Sequence, residues 1–249
     1  MPRQPRKKSN SGIYHVMLRG INKQVIFEDY EDSLKFLETL SKYKEICEYK
    51  ILAYCIMKNH IHLLLKQEKE ELDKIIKRIG SSYVYWYNLK YHRVGHLFQD
   101  RYKSEPVEDN SYLLTVLRFI HQNPVKAGVC KKVCDYALSN YNEYLNDSSK
   151  IIDKELVLSI MSNQDFINFN DEPTDCQCMD VDENDFKLND NDAKVIVQKV
   201  SNCNSTAEFQ TLHASQRDMI IKKLKHKGLS IRQISRLTGI SIGVIRKVK

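Results

Sequence analysis

The sequence predicts an α+β protein with a ferredoxin-like sheet domain, followed by an acidic spacer and a small all-α domain carrying a helix-turn-helix. Three observations lead there. Apolar residues in the first half of the chain switch repeatedly between a period of two and a helical period. Between Asp165 and Asp192 stand ten acidic residues against the single Lys187. From Ala193 onward the periodicity is helical throughout.

Met1 to Ser11 is a run of Pro, Arg, Lys and Ser that reads as a flexible basic arm. Ile13 to Arg19 alternates and ends at Gly20, as a strand does. Glu31 to Tyr49 places Leu34, Phe36, Leu37, Leu40, Tyr43 and Ile46 on a helical stripe. Lys50–Met57 and His60–Lys66 are apolar runs separated by Lys58-Asn59, a hairpin of two strands. Glu71 to Tyr91 is helical and contains Tyr83, Tyr85, Trp86 and Tyr87. Leu97 to Val107 is strand-like, and Ser111 to Gln122 is a helix that Pro124 should stop. The order strand, helix, strand, strand, helix, strand, helix is that of a ferredoxin-like unit.

After about Leu145 the composition changes. Asp153 to Met161 reads as a short helix, and Asp165 to Asp192 as a solvated tether that folds weakly if at all. Three helices follow, Gln216–Lys227, Ser230–Leu237 and Ser241–Val248, punctuated by Gly228 and Gly239. Within Ser230 to Lys247, Ile234 and Leu237 would be buried, Gly239 would make the turn and Ile240 would plug it. Val244 and Ile245 would anchor the second helix. Arg232, Arg236, Arg246 and Lys247 would then face DNA, with Ser241 at an N-cap where backbone N–H groups can meet a phosphate. A helical hairpin that only packs is the competing reading. The domains are thus 1–11, arm; 12–145, sheet domain; 146–192, spacer; 193–249, helical domain.

The formal net charge of +7 hides a larger asymmetry: the acidic stretch carries −9, so the remainder carries +16. Basic surface of that size draws polyanions, nucleic acid first among them. No apolar run approaches the roughly 20 residues that span a bilayer, and the basic N-terminus has no apolar core of a signal peptide. The sequence therefore predicts a cytoplasmic protein with no membrane segment. Its seven cysteines are odd in number and scattered, as reduced thiols are. Neither Cys130 with Cys134 nor Cys176 with Cys178 has the usual zinc half-site spacing.

His60-Ile61-His62 sets two imidazoles on one face of a strand, about 7 Å apart along the backbone, where they can share one metal ion. Such a pair leaves a divalent ion open positions for oxygen ligands, as an enzyme polarising a phosphate needs. On residues alone, two structural histidines compete with that reading. With Gly95 to Ser104 (Gly-His-Leu-Phe-Gln-Asp-Arg-Tyr-Lys-Ser) and Tyr112 to Gly128, however, this strand closely resembles the single-tyrosine HUH transposases. The REP-associated branch is the most similar, and the resemblance covers about Ser11 to Tyr144. Some members of that branch also carry a C-terminal helix-turn-helix after a variable spacer.

The resemblance implies a metal-assisted transposase acting on single-stranded hairpin ends, with Mg²⁺ or Mn²⁺ as cofactor and duplex DNA as a further partner. His60 and His62 become metal ligands, joined by Asn123, the polar residue one helical turn beyond the nucleophile. In the family that nucleophile is a tyrosine whose attack leaves a 5′-phosphotyrosine and a free 3′-OH. Here its position holds Phe119, which has no oxygen to offer. Tyr112, seven residues earlier, is the nearest substitute, but it stands about 10.5 Å down the helix axis. Arg101, Lys103 and Lys126 flank the motifs and would hold phosphates. Tyr83, Tyr85 and Tyr87 would stack on bases or, in the blander reading, pack the core; His121 would be a proton shuttle or a surface residue. Family members act as monomers or homodimers. A non-catalytic DNA-binding regulator derived from a transposase is the alternative function, and an RNA-hairpin factor a third.

Overall fold

Seven residues of alternating register between Gly12 and Gly20 make β1, Ile13–Arg19, and the structure builds the rest of a four-stranded sheet around it. The computed structural model describes residues 6–99, 101–146, 151–173, 178–180, 190–203 and 205–248. It divides into two compact units, Met1–Asp180 and Val181–Lys249.

In the first unit, β2 (Lys50–Met57) and β3 (His60–Lys66) form the hairpin, and β4 is Lys103–Val107. The strand order is β2-β3-β1-β4, with every neighbouring pair antiparallel. Strands β1 and β2 both run against β3, so the helix between them, α1 (Tyr30–Cys47), is a crossover. Helix α2 (Leu72–Lys90) plays the same part between β3 and β4. This is the arrangement of a ferredoxin-like unit. Helix α1 begins on a capping box of Asp29 and Asp32. Lys90 at the end of α2 reaches both carboxylates at 2.8 Å, tying the two crossover helices together.

Apolar residues of both sheet faces are buried: Val16, Ile51, Ile61, Leu63 and Leu65 on one, Met17 and Leu64 on the other. Tyr83 and Tyr87 join this core, with the Tyr83 hydroxyl donating to the Ile26 carbonyl at 2.6 Å. Tyr85 on the same helix is 70% exposed. The blander reading of the cluster therefore holds for the first two, and Tyr85 alone presents its ring.

Several expectations need correction. Pro124 does not stop its helix: α3 runs from Asn110 to Lys126 with Pro124 inside. The loss of one N–H is tolerated so near the end because the next turn closes around it. Ala127 donates to the Asn123 carbonyl and Val129 to that of Pro124, both at 2.9 Å. The strand expected from Leu97 is shorter, preceded by an isolated bridge between Gly20 and Phe98. Arm residues 6–11 are held in place. The Arg6 guanidinium lies 3.6 Å over the Tyr102 ring, and the backbone N–H groups of Asn10 and Ser11 donate to Glu108.

The stretch read as a spacer also contains ordered structure. After α4 (Tyr141–Leu145), which closes the sheet domain, the short helix α5 (Glu155–Leu158) leads to α6 (Asn163–Asp171). Phe166 on α6 is fully buried, stacked on Tyr144 and Tyr141. Gln122 on α3 donates to the carbonyls of Asn170 and Glu172 at 2.7 Å. Four apolar or amide side chains thus override the unfavourable charge of the segment. Residues 174–177, with Cys176, and 181–189 of that stretch lie outside the described residues.

The second unit contains α7 (Asp190–Ser201), α8 (Thr206–Thr211), α9 (Ala214–His226), α10 (Ile231–Thr238) and α11 (Ile242–Lys247). Its core gathers Val197, Phe209, Ile221, Leu224, Ile234, Ile240 and Ile245. A capping box of Ser230 and Gln233 starts α10, and Gly239 ends it at φ 70°. A Cβ at Gly239 would stand 2.1 Å from the Gln210 amide, so both backbone and space call for glycine. Ile240 fills the turn as expected. Val244 does not anchor α11: it is 48% exposed, and Ile245 alone is buried there. Among the described residues no helix is long and apolar enough to cross a membrane.

Candidate metal centre

The antiparallel register of β1 and β3 sets Met17 opposite His62 and Arg19 opposite His60. Alternation then puts His15, Met17 and Arg19 on the same sheet face as His60 and His62. Helix α3 covers this face, and its Phe119 ring meets both His15 and His62 edge-on, with centroids 5.8 and 5.5 Å away. The pairing therefore converges residues distant in sequence on one spot.

His62 is fully buried, and its Nδ1 lies 2.9 Å from Nε2 of His15, itself at 0% exposure. His60 Nδ1 lies 2.7 Å from the Asn59 side-chain oxygen. The Nε2 atoms of both His60 and His62 have no hydrogen-bond partner. A buried imidazole nitrogen left without a partner is costly, and two side by side fit a site for a metal ion. Asp180, the last residue of this unit, brings its Oδ1 to 3.7 Å from His62 Nε2. His60, His62 and Asp180 offer ligand atoms all within 4.8 Å of one another. They are the one such group of His, Cys, Asp or Glu found among the described residues.

Burial keeps the His15 and His60 rings neutral. Burial, then the neighbouring His62, holds His15 well below the ordinary histidine range. The same two causes lower His60 to about 3. A neutral imidazole is the form that donates its lone pair to a metal. Asn123, 6% exposed, approaches the His60 ring and partly offsets the lowering, while Arg19 adds to it. If His62 Nε2 is to bind metal, its proton sits on Nδ1 and is donated to His15 Nε2. His15 is then the group that fixes the tautomer.

The other expected site residues fall in different places. Tyr112 starts α3 one turn after its Asp109 cap; burial and then Glu105 push its phenol well above the ordinary range, opposite to what a nucleophile needs. Lys126 stands with its Nζ 5.1 Å from the Phe119 ring centroid, beside the centre. Arg101 is exposed and lines, with Tyr85, Phe98 and Arg6, a groove of about 600 Å³ against α2. Lys103 begins β4, paired with Met17. His121 is not at the surface: it is fully buried, bonded to Asn170 and Asn140, and lowered to about 4 by burial. Neither contact belongs to the metal centre, so the shuttle reading has no support. In the second unit Arg232, Arg236, Arg246 and Lys247 are exposed, and Ser241 caps α11 by accepting from Val244 N.

Sequence reasoning missed His15, Arg19 and Asp180. Alternation alone could have set His15 and Arg19 on one face, but their proximity to His60 and His62 needs the strand register. Asp180 lay in a stretch assigned to a tether.

Known proteins show similarity over this unit. Residues 8–123 match the family model of the IS200-like transposases. A REP-associated tyrosine transposase of Haemophilus influenzae is 29% identical over 120 residues, which cover 42% of this chain and 68% of that protein. The structure of a REP-associated tyrosine transposase bound to a REP hairpin superposes with a TM-score of 0.51 at 16% identity, covering 58% of this chain and 86% of that one. The histidine pair, the sheet that presents it and these likenesses together support the single-tyrosine HUH transposase family for residues 8–123 of this chain.

Proposed function

We propose that this protein binds single-stranded DNA hairpins through its first unit but has lost the transposase's strand-transfer step. The observation that carries the reading is Phe119. Its ring occupies the helix position facing the histidines at 5.5 Å, one turn before Asn123, where the family's nucleophilic tyrosine belongs. A phenyl ring has no oxygen that can form a phosphodiester.

His60, His62 and Asn123 would hold Mg²⁺ or Mn²⁺, which when bound polarises a phosphate oxygen as a Lewis acid. The side chains do the rest of the binding. His15 fixes the His62 tautomer, Arg19 brings positive charge beside His60, and Lys126 adds a cation at the end of α3. Arg101, Arg6 and Lys77 border the groove against α2, whose exposed Tyr85 offers a ring for base stacking. Phosphate held at the centre would thus be bound without being cut.

The second unit supports duplex binding. Helices α10 and α11, joined at Gly239, have the spacing of a helix-turn-helix, with Arg232, Arg236, Arg246 and Lys247 exposed. Together these features favour a DNA-binding regulator derived from a transposase. Gel shifts with a single-stranded hairpin, its duplex form and a matched RNA hairpin test the reading. Tight binding of the DNA hairpin without cleavage supports it, while preference for RNA at matched sequence contradicts it.

A further inference from the structure

We propose that Asp180 is a further protein ligand of the ion held by His60, His62 and Asn123. The pair would thereby become a two-histidine, one-carboxylate centre for a divalent transition metal. The inference rests on the reading of those histidines as a metal pair and adds a residue that the HUH motif does not contain.

Three observations point to Asp180. Its carboxylate oxygen lies 3.7 Å from His62 Nε2, and it shares with both histidines a cluster no wider than 4.8 Å. The Nε2 atoms it approaches have no hydrogen-bond partner, and that of His62 belongs to a side chain at 0% exposure. Its position is also anchored, because Cys178 packs against the core of the unit and its thiol interacts with Tyr112.

The chemistry agrees. Two neutral imidazoles and an amide leave the full double charge of a cation uncompensated at a buried spot beside Arg19. Asp180 supplies one negative charge and a hard oxygen. Imidazole nitrogens together with a carboxylate suit Mn²⁺, Fe²⁺, Co²⁺ or Zn²⁺ better than Mg²⁺, which prefers oxygen and retains its water. The centre should accordingly select a transition ion.

Titration calorimetry of the full-length protein with Mn²⁺ and with Co²⁺ alone tests this, with the Co²⁺ visible absorption band as second readout. Asp180→Asn keeps the shape of a half-exposed side chain, Asp171→Asn removes a carboxylate of the same acidic stretch outside the cluster, and His60→Ala removes a primary ligand. The inference expects one ion per chain, Asp180→Asn weakening its affinity roughly tenfold or more and altering the Co²⁺ band, and Asp171→Asn leaving both unchanged. If Asp180→Asn binds as the parent does while His60→Ala fails, Asp180 is no ligand and the histidine site stands. If the unaltered protein binds neither ion, the metal reading and this inference fall together. Equal melting temperatures of parent and Asp180→Asn in EDTA show that any loss is not unfolding.

Discussion

The Phe119 ring stands edge-on to the His62 imidazole, their centroids 5.5 Å apart and their planes at 84°. That contact places the side chain of α3 on the metal-facing side of the sheet and defines what the centre lacks. The surrounding pieces are present: paired imidazoles, an amide one turn along the helix, and nearby cations. In the proposed reading, a phenyl ring stands where the family's attacking oxygen would be.

His15 should tune the centre without touching the metal. Its Nε2 is the partner of His62 Nδ1 at 2.9 Å, so His15→Leu removes the group that orients the ligand. Mn²⁺ affinity should fall roughly 10- to 100-fold, as for other outer-shell partners, with the far-ultraviolet circular dichroism unchanged. Unchanged affinity would mean that His15 is only a packing residue.

The first unit should lose stability as the solution is acidified. Burial depresses His15, His60 and His121, the last to about 4, whereas in the unfolded chain each takes up its proton near pH 6.5. A depressed folded value means that stability is full above pH 6.5 and declines as pH falls toward the folded value. Each such group costs about 1.4 kcal/mol per pH unit in that window. Chemical denaturation in EDTA from pH 7.5 to 5 measures the slope, and His121→Gln should flatten it. A slope that His121→Gln leaves untouched would show that this ring is not held neutral.

Phe166 should behave as a core residue of the sheet domain although it sits in the acidic stretch. It is fully buried between Tyr144, Tyr141 and His121. Phe166→Ala should cost the first unit about 3–5 kcal/mol, the usual range for a deleted core aromatic. Denaturant midpoints measure this, and a change under 1 kcal/mol would mean that the segment is a tether after all.

Gly239→Ala should destabilise the second unit selectively. The left-handed backbone costs a non-glycine residue about 1–2 kcal/mol, and the added Cβ would force the Gln210 amide and Thr206 to move. Scanning calorimetry should show the transition of the second unit lowered and that of the first unmoved.

Much of this architecture is legible in the chain. The bounds of β1 follow from alternation, and those of β2 and β3 from two apolar runs split by the Lys58-Asn59 turn. His60 and His62 are legible for the same reason. What stayed hidden depends on tertiary context. Composition marks Asp165–Asp192 as solvated, yet Phe166 and Asn170 suffice to dock its first turns on α3. Pro124 is a helix breaker by rule, and only the closing turn of α3 shows why it is tolerated. Ile245, not Val244, faces inward because α11 starts only at Ile242, and no periodicity can be read from so short a helix. His15 and Asp180 reach the centre through strand register and chain return, neither of which a local pattern encodes.

In the proposed reading, the centre keeps its histidine pair and Asn123 and lacks the nucleophile. Incubation with a single-stranded DNA hairpin and Mn²⁺, followed by denaturing electrophoresis, compares the parent protein with Phe119→Tyr, Tyr112→Phe and the double variant Phe119→Tyr/His60→Ala. No covalent DNA adduct is expected for the parent, and an adduct is expected for Phe119→Tyr that disappears when His60 is also replaced. An adduct formed by the parent and abolished by Tyr112→Phe would contradict this reading, making Tyr112 the nucleophile and the protein an active enzyme.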